Sequence, residues 1–104
     1  MRIYAYRGES MEKEELLLRT AEFYKCLSDF SRFKIVYSLM EGEKCVSEIE
    51  ECVNMSQTAV SYQLKILLQG HIVKYRKGGQ NVFYSIDDSH VYDIINLTID
   101  HILE

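Results

Sequence analysis

The stretch "SEIEECVNMSQTAVSYQLKILLQGHIVKYRKGGQNVFYSI", residues 47–86, changes its hydrophobic period once, and that change decides the fold. Up to Gly70 the apolar residues recur at helical spacing. After it the chain is rich in β-branched and aromatic residues with Gly78-Gly79 in the middle, the mark of a β-hairpin. The first part divides in two. "SEIEECV" predicts a short helix, with Ser47 and Glu50 at the spacing of a capping box. A three-residue connection, "NMS", leads into "QTAVSYQLKILLQG", capped by Ser56, stopped near Gly70, and buried along Ala59, Val60, Leu64 and Leu67. Two helices joined by a tight turn and followed by a hairpin describe a winged helix-turn-helix. In that arrangement the second helix enters the DNA major groove and the hairpin lies along the backbone.

The charge distribution agrees. The chain carries a formal charge of −4, yet no Asp or Glu occurs from Cys52 to Ile86, where Lys65, Lys74, Arg76 and Lys77 stand. A locally cationic segment can bind phosphate while the whole chain stays acidic, although by itself it could equally be a solvated basic face. On the second helix Ser56, Gln57, Thr58, Ser61, Tyr62 and Gln63 offer hydroxyl and amide groups suited to base edges and phosphates. Lys65 and the wing residues Lys74, Arg76 and Lys77 are expected to supply phosphate charge.

Outward from this unit, "EKEELLLRTAEFYKCL" (12–27) predicts a helix with acids in its first turn. In "SDFSRFKIVYSLMEG", Ser28 or Asp29 caps a second helix that turns Phe33, Val36 and Leu39 inward and ends at Gly42. A last helix runs from about Ser89 to the end. The expected class is therefore mainly α with one β-hairpin, a single domain over residues 1–104. The start, "MRIYAYRGESMEKEE", lacks the apolar stretch of a signal peptide, and no window is long and apolar enough to span a membrane. Three cysteines, an odd number, fit a reduced cytoplasmic protein better than a disulfide framework.

The final segment, "DDSHVYDIINLTIDHILE" (87–104), holds two of the three histidines, each with a carboxylate nearby. Imidazole and carboxylate suit zinc, which takes N and O ligands tetrahedrally. On a helix His90 and His101 share a face, ~20° apart at ~100° per residue, but lie ~16 Å apart along the axis, too far for one ion. His101 and Glu104, at i and i+3, are helix neighbours. Asp88 and His90 point the same way only if the chain is extended at the helix start. Each end of the segment thus offers half a site. Two antiparallel copies related by a two-fold axis bring Asp88 and His90 of one chain to His101 and Glu104 of the other, giving two equivalent sites per homodimer. Ile94 and Leu97 lie between the histidines on the same face and would form the dry seam. Glu104, a carboxylate in the last turn, opposes the helix dipole and needs another justification. The plainer alternative is a surface histidine at each end, with Asp87 or Asp88 as a cap.

These residues resemble the ArsR/SmtB family of bacterial metal-sensing repressors, over residues from about 20 to 104. The similarity rests on "EKCVSEIEECVNMSQTAVSYQLKILLQGHIVKYRKGGQNVFYSIDDSH", on the "LSDFSRFKIVYSLMEGE" helix, and on the Asp-x-His and His-x-x-Glu pair of the last helix. The resemblance implies a cytoplasmic, nucleoid-associated homodimer that represses metal efflux or sequestration genes. It implies release of operator DNA, an imperfect inverted repeat, when zinc or cobalt binds; nickel is also compatible with the donor set. No small organic substrate is expected. Members that sense arsenic, cadmium or lead often carry Cys-Val-Cys where this chain has Cys45-Val46-Ser47. Phe30 stands where the family commonly has proline. A rival on the same fold is a thiol-based repressor sensing persulfide or oxidant through Cys26 and another cysteine. A zinc hydrolase is disfavoured, because four protein ligands leave no open position for water. For transmission to DNA, a metal-ligating His commonly donates its other N–H to a carbonyl, and the carbonyl of His71, after the second DNA-binding helix, is the expected acceptor from His101.

Overall fold

The computed structural model describes residues 4–6 and 9–104. It opens on an antiparallel pair of short strands, β1 (Tyr4–Tyr6) and β2 (Glu9–Met11). Five helices and a three-stranded antiparallel sheet follow. The helices are α1 (Lys13–Leu27), α2 (Phe30–Ser38), α3 (Val46–Val53), α4 (Gln57–Gln69) and α5 (Ser89–Leu103). The sheet, ordered β3-β5-β4, contains β3 (Lys44–Cys45), β4 (Val73–Gly78) and β5 (Asn81–Ile86). This is a winged helix-turn-helix, mainly α with a β-hairpin, as expected.

Local chemistry sets most boundaries. Asp29 caps α2 by accepting the Arg32 N–H at 2.9 Å, and Ser56 caps α4 by accepting the Ala59 N–H at 3.2 Å. After α2 the chain tightens into one 3₁₀ turn, Leu39–Glu41, before Gly42 breaks away at φ 142°. Asn54 ends α3 in the left-handed region at φ 55°, which makes the connection to α4 tight.

Two expectations are corrected. The cap of α3 is Cys45 rather than Ser47, and its N–H donates to Glu48, not Glu50, at 2.9 Å. The cause is tertiary: Cys45 pairs with Phe83 on β5 and is held extended, so the helix begins directly after it. Ser47 then falls inside the first turn. The wing turn is also displaced by one residue. Gly78 pairs with Asn81, so the loop is Gly79-Gln80, with Gly79 at φ 62°.

One core joins these elements. Ile35, Val36 and Leu39 meet Ile49 and Val53 of α3, Val60, Leu64 and Leu67 of α4, Ile72 and Val73 at the start of the wing, and Val91 and Ile95 of α5. α1 contributes no fully buried residue; Phe23, Cys26 and Leu27 reach the edge of the core. Close to Cys26, a side chain on Gly70 would stand 2.8 Å from the cysteine sulfur, so a bare glycine lets α1 approach the end of α4.

Candidate DNA interface and metal half-sites

On α4 the buried residues Val60, Leu64 and Leu67 occupy one side, and Gln57, Thr58, Ser61, Tyr62 and Lys65 are exposed on the other. These five lie within ~140° of the helix circumference at ~100° per residue, a continuous polar face. The Ser56 hydroxyl is engaged at the cap. Gln63 sits on the flank beside the buried stripe. It is half-buried, and its amide oxygen accepts from Arg32 Nη1 at 3.1 Å, while Arg32 Nε donates to the Cys26 carbonyl at 2.7 Å. Arg32 thereby ties α1, α2 and α4 together, a link no local sequence pattern announces. A cleft lined by Ser47, Gln57, Gln80, Asn81 and Tyr84 runs between the start of α4 and the wing tip.

Lys74 and Lys77 on β4 and Lys65 on α4 are exposed and make no ion pair among the described residues. Arg76 differs. Its guanidinium reaches across the sheet to Glu43, with Nε donating to Oε2 at 2.9 Å and Nη2 to Oε1. Glu43 was not among the residues singled out from sequence. It precedes the two-residue strand β3, and only the pairing of β3 with β5 brings it to the wing.

The last helix holds both histidine–carboxylate pairs. Asp88 is its N-cap, extended at φ −153° and ψ 177°. One carboxylate oxygen, Oδ1, accepts the Val91 N–H at 3.1 Å, and the other, Oδ2, lies 3.6 Å from His90 Nδ1. Capping and a ligand role therefore use different oxygens of the same group. The Val91 hydrogen bond, with a lesser contribution from His90, holds the Asp88 carboxyl below its ordinary value. At the other end His101 Nδ1 lies 3.8 Å from Glu104 Oε2. Donor atoms that share a tetrahedral zinc at ~2.0–2.1 Å stand ~3.3 Å apart, so small side-chain adjustments let either pair share one ion. All four side chains are at least half exposed, from 51% at Asp88 to 85% at His101. Among the described residues no three His, Cys, Asp or Glu side chains of one chain converge on a metal position; the donors come in twos.

His71, at φ 57°, lies in the turn after α4, and the carbonyl of its neighbour Ile72 accepts the Asp87 N–H at 3.0 Å. The start of α5, with Asp88 and His90, is therefore anchored beside His71. His101, ~16 Å farther along the axis, belongs to the far end of the helix. The cysteines are free, and burial pushes the Cys26 thiol up against the opposing pull of Arg32, the reverse of an activated thiolate.

Residues 29–75 match the profile described as "Bacterial regulatory protein, arsR family". A transcriptional repressor SmtB homolog of Synechocystis is 40% identical over 84 residues, which cover 81% of this chain and 64% of that protein. A cadmium resistance transcriptional regulatory protein CadC homolog of Staphylococcus aureus is 40% identical over 82 residues, covering 78% of this chain and 68% of its own length. Among solved structures, a homodimeric winged helix-turn-helix DNA-binding domain from Mycobacterium bovis, a possible ArsR-family regulator, superposes with a TM-score of 0.78 at 29% identity, over 95% of this chain and 94% of that one. Fold, motif order and kinship agree: the chain belongs to the ArsR family of bacterial regulatory proteins.

Proposed function

We propose that this protein is a metal-responsive transcriptional repressor that acts as a homodimer. Family membership places it among DNA-binding regulators rather than enzymes. In the metal-free dimer, α4 of each protomer lies in a major groove of an inverted repeat, with half-sites about one turn, ~34 Å, apart. Lys65 and the wing lysines meet phosphates. No helix of the described residues is long and apolar enough to cross a membrane.

The observation that carries the metal reading is the placement of the two donor pairs on α5. Val91, Ile95 and Ile99 face the core, at ~100–180° around the helix from His90. His90, Leu97, His101 and Glu104 share the opposite face, where Leu97 is 67% exposed. A helix that presents an uncovered leucine between two half-sites suits an antiparallel mate. Asp88 and His90 would then meet His101 and Glu104 of a second copy, around zinc or, with the same donors, cobalt. When bound, the metal supplies a crosslink between two subunits that the free protein lacks. The residues then act through geometry. The antiparallel arrangement brings the second copy's His101 beside Asp88, and the Asp87–Ile72 hydrogen bond keeps that place next to His71. A His101 N–H donated to the His71 carbonyl would bias the two recognition helices away from the spacing of successive grooves.

The testing experiment is a zinc titration of the purified dimer with operator DNA present. The expected result is two ions per dimer, DNA release, and weaker metal binding in acid, where protons compete with the ion for its donor atoms. Sedimentation showing a monomer at micromolar concentration, with or without zinc, rejects the shared site.

A further inference from the structure

Arg76 stands opposite Phe83 in the wing, and Phe83 in turn pairs with Cys45 of β3. The arginine, though 57% exposed, does not extend along the wing. Its guanidinium lies over the Phe83 ring, 4.8 Å from the centroid, and ends on both oxygens of Glu43. A bidentate fork of this kind fixes the orientation of the guanidinium as well as neutralising it. The same contact holds the Glu43 carboxyl below its ordinary value and the Arg76 guanidinium above its own. Gly78 is a separate sign of the arrangement. Its φ is not in the left-handed region, so the backbone accepts a side chain, but a Cβ there would stand 2.8 Å from Arg76 Nη1 and 2.9 Å from the Phe83 ring. The bare position leaves room for the folded arginine. Of the four cations expected on the DNA-facing side, Lys65, Lys74 and Lys77 are without an ion pair among the described residues, and Arg76 alone is spoken for.

An exposed ion pair contributes little to stability; what it changes is the charge left free to meet phosphate. We propose that Glu43 limits non-specific DNA binding by holding Arg76 folded against Phe83, which withholds one cation from the DNA backbone. This rests on the reading of the chain as a DNA-binding protein. Arg76 is then a latent phosphate contact, and Lys74 and Lys77 are the wing's standing ones. Binding a phosphate through Arg76 requires giving up two hydrogen bonds to a carboxylate, a poor exchange at an arbitrary stretch of duplex.

The test is a double-mutant cycle on the full chain, reading affinity for a random-sequence duplex by fluorescence anisotropy across a salt series. Glu43→Gln should steepen the salt dependence by about one phosphate, a ~3.5-fold larger loss of affinity over a fourfold rise in salt. Arg76→Ala alone should change the slope by less than half as much. The double variant should return to the wild-type slope. Glu43→Ala repeats the first arm, and thermal melting checks that each variant folds. Three results overturn the proposal: no effect of Glu43→Gln, an effect that persists undiminished without Arg76, or a full one-phosphate loss in Arg76→Ala alone. The persistent effect would mean that Glu43 simply repels DNA. Lys74→Ala separates the two levels of the reading. If it flattens the slope while the cycle is flat, only the role of Glu43 fails; a wild-type protein that binds no duplex at low salt removes the DNA-binding reading as well.

Discussion

The body built from α2, α3, α4 and the wing contrasts with the outer layer built from α1 and α5. In the body each helix has its own inward face: Ile35 and Val36 on α2, Ile49 on α3, and Val60 and Leu67 on α4 are fully enclosed. In the outer layer α1 has no fully buried residue over its 15 positions, and Leu17 and Leu18 are 49% and 60% exposed. α5 is double-sided, burying Val91 and Ile95 while leaving Leu97, Ile102 and Leu103 in solvent. The body closes its core within one chain, although Phe30 and Tyr37 on α2 stay 74% and 54% exposed. The outer layer has apolar surface that a single chain does not cover, and it also carries both donor pairs. The difference separates what keeps the protomer folded from what is available to sense and to pair.

If that separation is right, the largest effect on folding comes from the body. Leu64→Ala removes a side chain that is 1% exposed and should cost ~2–5 kcal/mol in urea unfolding. Leu97→Ala should leave protomer stability within about 0.5 kcal/mol and show itself as weaker dimerisation in sedimentation. Equal losses of stability at the two leucines would erase the distinction. Next in size is the coupling of metal to DNA. His90→Ala or His101→Ala should abolish a zinc-induced loss of DNA affinity worth ~1–3 kcal/mol, measured as the ratio of DNA affinities with and without zinc, and leave metal-free binding intact.

Gln57 sharpens the contrast from the other side, because it belongs to the body and is proposed to read DNA. Gln57→Ala should reduce discrimination between operator and random duplex by ~1–3 kcal/mol while the salt dependence stays put. A uniform loss on both duplexes would reassign Gln57 to the backbone. The smallest effect concerns Asp88, where the helix cap and a proposed metal ligand are one side chain. Asp88→Ala should cost ~1 kcal/mol of stability at neutral pH through the lost cap. The Val91 hydrogen bond depresses the folded-state value of this carboxyl. Its stabilising contribution is therefore complete above the unfolded carboxylate range and lost as pH falls through the lower folded value. The stability gap between wild type and variant should close in acid; a gap that widens there has the wrong sign for a cap.

Legibility in the sequence followed how local each cause is. The order of helices, the cap at Ser56 and the change of period after Gly70 depend on neighbours a few residues apart and are readable; the cap of α2 is readable as Ser28 or Asp29, and the structure selects Asp29. The strand β3 was not, because two residues cannot display a period; it exists through pairing of Lys44 with Tyr84 and Cys45 with Phe83. The misplaced cap of α3 follows from the same omission, as Cys45 is extended only because β5 holds it. β1 and β2, three residues each, were missed for the same reason. At the site, the His101–Glu104 pair was legible from i,i+3 spacing, and the approach of Asp88 to His90 from the extended backbone a cap requires. The bonds of Arg32 to Gln63 and Arg76 to Glu43 join residues 31 and 33 positions apart, and no spacing rule reaches them.

Each proposed metal site draws two ligands from each of two chains. A mixed dimer of one His90→Ala chain and one His101→Ala chain tests it most directly. One end of that dimer loses both halves of its site, and the other keeps Asp88 and His90 from one chain and His101 and Glu104 from its mate. Zinc titration of each pure variant should show weak binding, and the mixed dimer should regain one tight ion per dimer. A mixed dimer that binds no better than either parent, with dimerisation verified in the same sample, contradicts the shared site.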